Sequence, residues 1–248
     1  MDWKDVANVL YKYIRLNSFP VGVKLLEKKE EIPPKTRRFK TKMNNCQLAG
    51  LARSYGWVVG ATKEDLVCVA GAACVGLIET PEKITSGKIS YKVNQKTLEA
   101  AKKMQDAVFR LKPIYEAILF YSIERAPMDP DVVLCYVNPA QAMRLIHASL
   151  WEIGGKLKFG SSGEYGLCGE AIAQTIIEKE PKIAVACYGD RRFGLTQDHE
   201  LIFSFPAEWT ERILEGLEET HKAGVRYPIP FQLEFAPQMP EIYFIEEE

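Results

Sequence analysis

Two stretches of this chain are laid out to one plan, and that plan constrains the fold more than any single motif. In the first, "CQLAGLARSYGW" opens at Cys46 and leads to "CVAGAACVGL" at Cys68. In the second, "CGEAIAQTIIEK" opens at Cys168 and leads to "CYGDRRFGL" at Cys187. Each reads cysteine, small-residue helix, strand, cysteine, glycine-containing turn and Gly-Leu. A hydrophobic strand stands ahead of each, "VGVKLL" and "VVLCYV". Self-similarity of this kind points to an internal repeat. It predicts pseudo-repeats over residues 20–80 and 130–206, each a strand–helix–strand unit, packed about an approximate two-fold axis. The chain is read as a single domain over 1–248, with an extended, proline-bearing C-terminal tail over 225–248.

The rest of the pattern is α+β: a mixed sheet with helices. Val6, Val9, Leu10, Tyr13 and Ile14 recur at helical spacing within a helix read over Asp5–Leu16. Helical stripes also mark Gln95–Leu111, Pro139–Ile153 and Ala207–Lys222. "AILFYSI" and "VVLCYV" are unbroken apolar runs of strand length, and "DHELIFSFP" alternates as a strand does. "TSGKISYKV" reads as a hairpin element or a loop. No regular βαβ ladder is evident.

Charge excludes little and suggests little. Lys plus Arg is 32 and Asp plus Glu is 33, giving a net charge of -1. There is no chain-wide electrostatic reason to expect nucleic acid. The basic stretch "PKTRRFKTK" is read as a solvated loop. No stretch approaches the run of about 18 apolar residues that a membrane span needs, and the N-terminus is not patterned as a signal peptide. These features predict a cytoplasmic protein, where disulfides are disfavoured. The six cysteines at 46, 68, 74, 135, 168 and 187 are then thiols or thiolates.

Cys135, inside "VVLCYV", and Cys74 fit the role of small buried hydrophobes. Cys46 and Cys168 differ, because each stands at a predicted helix start, where free amides favour a thiolate. Cys68 and Cys187 stand at strand-to-turn junctions beside small residues. Four thiolates from two equivalent units suit an iron–sulfur cluster or a structural zinc. No C-x-x-C pair is present to single out a common zinc module. Gly71 and Gly189 would let backbone approach the bound group, and Arg191, beside Cys187, is a candidate to line the site. His199 follows the second unit and offers a base for a Cys187 nucleophile, whereas His147 is read as packed within its helix. "FGSSGEYG" before Cys168 lacks the ending of a phosphate-binding loop and reads as a plain connection.

Several of these stretches carry a resemblance. "PVGVKL", "CQLAGLARSYGWVVGATKEDLVCVAGAACVGL", "PAQAMRLIHAS" and "GLCGEAIAQT", with "KIAVACYGDRRFGLTQDHELIFSFP", resemble the DUF169 family, a group of uncharacterised proteins common in archaea and anaerobic bacteria. The resemblance covers most of Pro20 to Pro206 and implies that Cys46, Cys68, Cys168 and Cys187 match the family's recurrent cysteines. It carries no settled activity. The leading expectation is a redox or cofactor-handling protein holding an iron–sulfur cluster through these four residues, with an unidentified redox or protein partner and homo-oligomer formation left open. The rivals are a non-enzymatic protein binding haem or another small molecule, and an enzyme with Cys187 or Cys168 as nucleophile.

Overall fold

A computed structural model of the protein describes residues 2–230. Six strands form one sheet: β1 (Val21–Leu26), β2 (Val59–Thr62), β3 (Ala117–Ser122), β4 (Val132–Val137), β5 (Lys182–Ala184) and β6 (Leu201–Pro206). Their order is β2-β3-β1-β4-β6-β5, and every pairing between them is antiparallel. The α+β class is as the sequence pattern indicates.

The central strands read as unbroken apolar runs because both faces of the sheet are covered. Every residue of β3 and of β4 is buried. Along β4, Val132, Leu134 and Tyr136 face one core, while Val133, Cys135 and Val137 face the other. On the second face lie α1 (Trp3–Ile14), α6 (Pro139–Leu150) and α9 (Thr210–Lys222). On the first face lie α2 (Asn45–Tyr55), α3 (Val69–Cys74) and a π-helical segment, Gly166–Ala173, that continues as α7 (Gln174–Glu178). Two further helices, α4 (Glu82–Thr85) and α5 (Leu98–Asp106), fill the connection to β3, and α8 (Tyr188–Phe193) follows β5.

Each half of the sheet follows one strand plan, with extra helices at different points: α4 and α5 before β3 in the first half, α6 after β4 in the second. In the first, β1 leads to α2, then β2, then α3, and the chain returns as β3 between the other two strands. In the second, β4 leads through α6, on the opposite face, to the π-helix and α7, then β5, then α8, and the chain returns as β6 between the other two. The halves meet where β1 and β4 run antiparallel, Val21 opposite Leu134 and Val23 opposite Val132.

Several elements are shorter than their periodicity predicts. The helix expected over Gln95–Leu111 is cut to Leu98–Asp106: Thr97 caps its start, and beyond its end the Arg110 guanidinium bonds to the Gln105 and Val108 carbonyls. α6 stops at Leu150. "GKISYKV" forms successive turns. Of the expected C-terminal tail, residues 231–248 lie outside the described residues; before them, Tyr227 accepts a hydrogen bond from Asn138 at the start of α6 (3.0 Å).

On the second face, Gly216 of α9 sits directly against α6. A Cβ at this position would run into the Ala148 carbonyl and backbone. Alanine normally favours a helix over glycine by about 1 kcal/mol, but backbone cannot yield as a side-chain tip can. Gly216→Ala is therefore expected to destabilise the protein by about 1–3 kcal/mol, the usual cost of overpacking, read as a lower urea midpoint with an unchanged slope.

Candidate functional site

The four singled-out cysteines each stand at the beginning of a helical segment on the first face of the sheet. Asn44 caps α2 through a capping box, accepting from the Gln47 amide (2.8 Å) while the Gln47 side chain accepts from the Asn44 amide (3.0 Å). This fixes Cys46 in the first turn. Cys68 is itself the N-cap of α3, and the Gly71 amide donates to its sulfur (3.3 Å). Cys168 lies in the first turn of the π-helix, and Cys187 is the N-cap of α8. One carboxylate ties these last two starts together: Asp190 Oδ2 accepts from the Cys187 amide (2.8 Å) and the Leu167 amide (3.2 Å).

Tertiary packing then gathers the four. α2 packs against α8, and α3 against the π-helix, so each contact joins one half of the molecule to the other. Small residues allow the approach: a Cβ on Gly50 would come within 2.9 Å of the Gly194 carbonyl oxygen. All four cysteines line one cavity of about 420 Å³. They meet in pairs across the halves. A Cβ on Gly71 would lie 3.3 Å from the Cys168 sulfur and 3.5 Å from that of Cys68; one on Gly189 would lie 3.6 Å from Cys46 Sγ and 3.7 Å from Cys187 Sγ. Cys168 is buried, Cys46 and Cys187 are half-buried, and Cys68 is exposed, so the cavity reaches solvent on the Cys68 side. Val67, Ile89 and Phe193 form an apolar part of its lining.

The electrostatics of the cavity are one-sided. Asp190 and Glu164 line it, and among the described residues that line it there is no Lys, Arg or His. Asp190 is 1% exposed, and its Oδ1 has no hydrogen-bond partner within the described structure. Asn45 donates to the Cys168 sulfur (3.4 Å), while its own Oδ1 is left without a partner. The Cys46 thiol is pushed well above its ordinary pKa, chiefly by its hydrogen bond to Cys187, then by burial and the charge of Asp190. The same bond lowers Cys187. Burial pushes Cys168 well up, with neighbouring Cys74 and Cys68 adding to it.

Among the described residues, no group of three or more His, Cys, Asp or Glu side chains stands arranged to hold a metal ion. The arrangement is an open ring of thiols around a cavity.

Gly71 and Gly189 line the cavity as expected, but Arg191 does not. Its guanidinium donates to the Gln197 carbonyl (2.7 Å), and Arg192 lies beside Phe193, because α8 turns this side outward. His199 faces a separate groove with Tyr11 and Phe19, away from Cys187, and His147 is exposed rather than packed. Cys135 points into the opposite core and Cys74 lies buried at the end of α3. Two contributors lay outside the sequence reading. Asp190 carried a signal in its place three residues after the capping Cys187. Asn45, beside the capping Asn44, carried none for its bond across the halves.

The DUF169 family profile, described as uncharacterised ArCR, matches residues 9–216. The uncharacterized protein MJ0308 of Methanocaldococcus jannaschii is 30% identical over 217 residues, which cover 87% of this chain and 93% of that relative. No solved structure matches the chain. Among the described residues no helix is long and apolar enough to cross a membrane. All four cavity cysteines fall inside the matched span, and the chain belongs to the DUF169 family.

Proposed function

We propose that the protein holds an iron–sulfur cluster through Cys46, Cys68, Cys168 and Cys187 and serves a redox or cofactor-handling role in the cytoplasm. The observation that carries this reading is the convergence of four thiols, two from each half, on one cavity that also holds an unpartnered Asp190 oxygen and no lining cation. Such a cavity suits a cationic occupant, since a cation drives protons from thiols that burial otherwise keeps protonated. A single zinc ion would need its sulfurs drawn into a tight tetrahedron at about 2.3 Å, which the described residues do not present. A cluster spreads its ligands over several irons and tolerates a wider ring. A haem would bring carboxylates to a cavity that lacks a basic partner for them.

When bound, the cluster supplies one-electron chemistry. The chain's own part is to hold and shield it. The Gly71 amide donates to the Cys68 sulfur and the Asn45 side chain to that of Cys168, holding both in place, while Val67, Ile89 and Phe193 limit water. The segments 20–80 and 130–206 are copies of one strand–helix–strand unit, each contributing two ligands, with β3 of the first half standing outside the first segment. The mirrored strand order, and a cysteine-bearing helical segment before β2 and before β5 alike, support this, while α6 has no counterpart in the first unit.

Anaerobic purification tests the reading. The expected result is a brown protein with a broad visible band and matching amounts of iron and acid-labile sulfide. Zinc without sulfide, or a sharp Soret band, would overturn it. The lowered pKa of Cys187 favours a second reading, a thiol nucleophile. A protein that stays colourless and metal-free after anaerobic reconstitution, yet is alkylated first at Cys187, would put that reading ahead.

A further inference from the structure

A second groove lies on the other side of Tyr165 from the cysteine cavity. It has a volume of about 490 Å³, in the range of small-molecule pockets. α5 forms one wall with Ala100 and Met104, and Ala107, Val108 and Phe109 continue it. The opposite wall is the π-helix and α7, through Gly169, Glu170 and Gln174. π-helical turns are rare and gather at functional sites, and here the whole segment Gly166–Ala173 is π-helical. A side chain at Gly169 would meet Tyr165 Cβ at 2.9 Å and Val108 at 3.2 Å, so glycine keeps this wall thin.

The charges of the groove are decided by their partners. Glu170 is committed: Oε1 accepts from the Ser162 amide (2.6 Å) and hydroxyl (3.0 Å), and Oε2 from the Ser161 hydroxyl (2.8 Å). Its acceptor oxygens are thus taken up by the very serines that close the groove at this end, and its charge stays with them. Lys103, exposed at the solvent edge, makes no ion pair among the described residues, whereas its neighbour Lys102 is paired to Asp106. The groove therefore offers an apolar body, a carboxylate already hydrogen-bonded at its closed end, and at its solvent edge one ammonium with no partner among the described residues.

We propose that this groove binds a small monocarboxylate with an apolar body, its chain against Met104, Val108 and Phe109 and its carboxylate at Lys103. Tyr165 lines both this groove and the cysteine cavity, which sets the ligand one aromatic ring away from the thiols. The binding does not depend on any metal being present.

Octanoate is a suitable probe and octylamine its charge-reversed control, both followed by titration calorimetry on the full chain. Octanoate is expected to bind saturably and octylamine not to. Lys103→Glu should weaken octanoate roughly fivefold, the scale of an exposed ion pair. Ala107→Trp and Ala100→Trp, each checked for an unchanged melting transition, should abolish it by filling the groove. Val67→Trp, at the mouth of the cysteine cavity, should leave it unchanged. Absence of saturable binding, equal binding of octylamine, or loss of binding in Val67→Trp but not in the two groove variants would overturn the proposal.

Discussion

Cys68→Ser and Cys187→Ser are expected to lose the iron of the proposed cluster to the same degree, although one cysteine is exposed and the other half-buried. The reason is the pairing across the halves. Cys68 stands with Cys168, and Cys187 with Cys46, so either substitution breaks one pair and leaves the other half of the ring unsupported. Even an outer hydrogen-bond partner of a metal ligand is worth about 10–100-fold in affinity, and loss of a ligand should exceed that. The measurement is iron and sulfide per chain after anaerobic reconstitution. Cys135→Ala should keep its full content, because that sulfur lies in the opposite core. If Cys68→Ser keeps its iron while Cys187→Ser loses it, the four sulfurs are not one site.

The sequence carried these sulfurs further than it carried their surroundings. A cysteine at a helix start has a local signal, made by the caps and small residues beside it, and Cys46 and Cys168 were legible for that reason; Cys68 and Cys187, expected at strand-to-turn junctions, cap short helices instead. The strands were legible because a sheet covered on both faces writes itself as unbroken apolar runs. Which sulfur meets which was not legible. Each unit supplies one cysteine at the start of a longer helical segment and one as the cap of a short helix, and the two sulfurs that flank Gly71, like the two that flank Gly189, come from opposite units. That is decided by α2 packing on α8 and α3 on the π-helix, contacts between residues far apart in the chain. Arg191 was misplaced for a related reason. Its position next to Cys187 is a local fact, but the turn of α8 that sends it to the Gln197 carbonyl is a tertiary one. The π-helical winding likewise has no periodic mark in "GLCGEAIA", whose residues are buried on every side.

The largest effect on stability is expected at a position outside the cavity. Arg53, on α2, forms a two-pronged ion pair with Glu200, just before β6: Nη1 to Oε2 at 2.8 Å and Nη2 to Oε1 at 2.5 Å. Both side chains are about 5% exposed, at 5% and 6%. The guanidinium also lies over the Tyr136 ring, 3.9 Å from its centre. The pair thus joins a helix of the first half to the second half of the sheet. Burial works to raise the Glu200 pKa, but the Arg53 guanidinium and the Gln197 amide outweigh it and hold the carboxyl below its ordinary value. Arg53→Met should therefore cost about 3–5 kcal/mol at neutral pH, because it strands a buried carboxylate. That is a large share of the roughly 5–15 kcal/mol a domain possesses. The double variant Arg53→Met with Glu200→Leu should recover most of the loss, since no charge is then left buried alone. The sign of the pH dependence follows from the lowered pKa. The pair's contribution is fully present above the unfolded carboxylate value near about 4.3 and is lost as pH falls through the folded value. In Arg53→Met the carboxyl is raised by burial instead, so protonation relieves it. Urea unfolding of both proteins should show their difference shrinking as pH drops below the carboxylate range. A difference that stays constant with pH would mean that Arg53 acts through its packing on Tyr136, and not through the charge of Glu200.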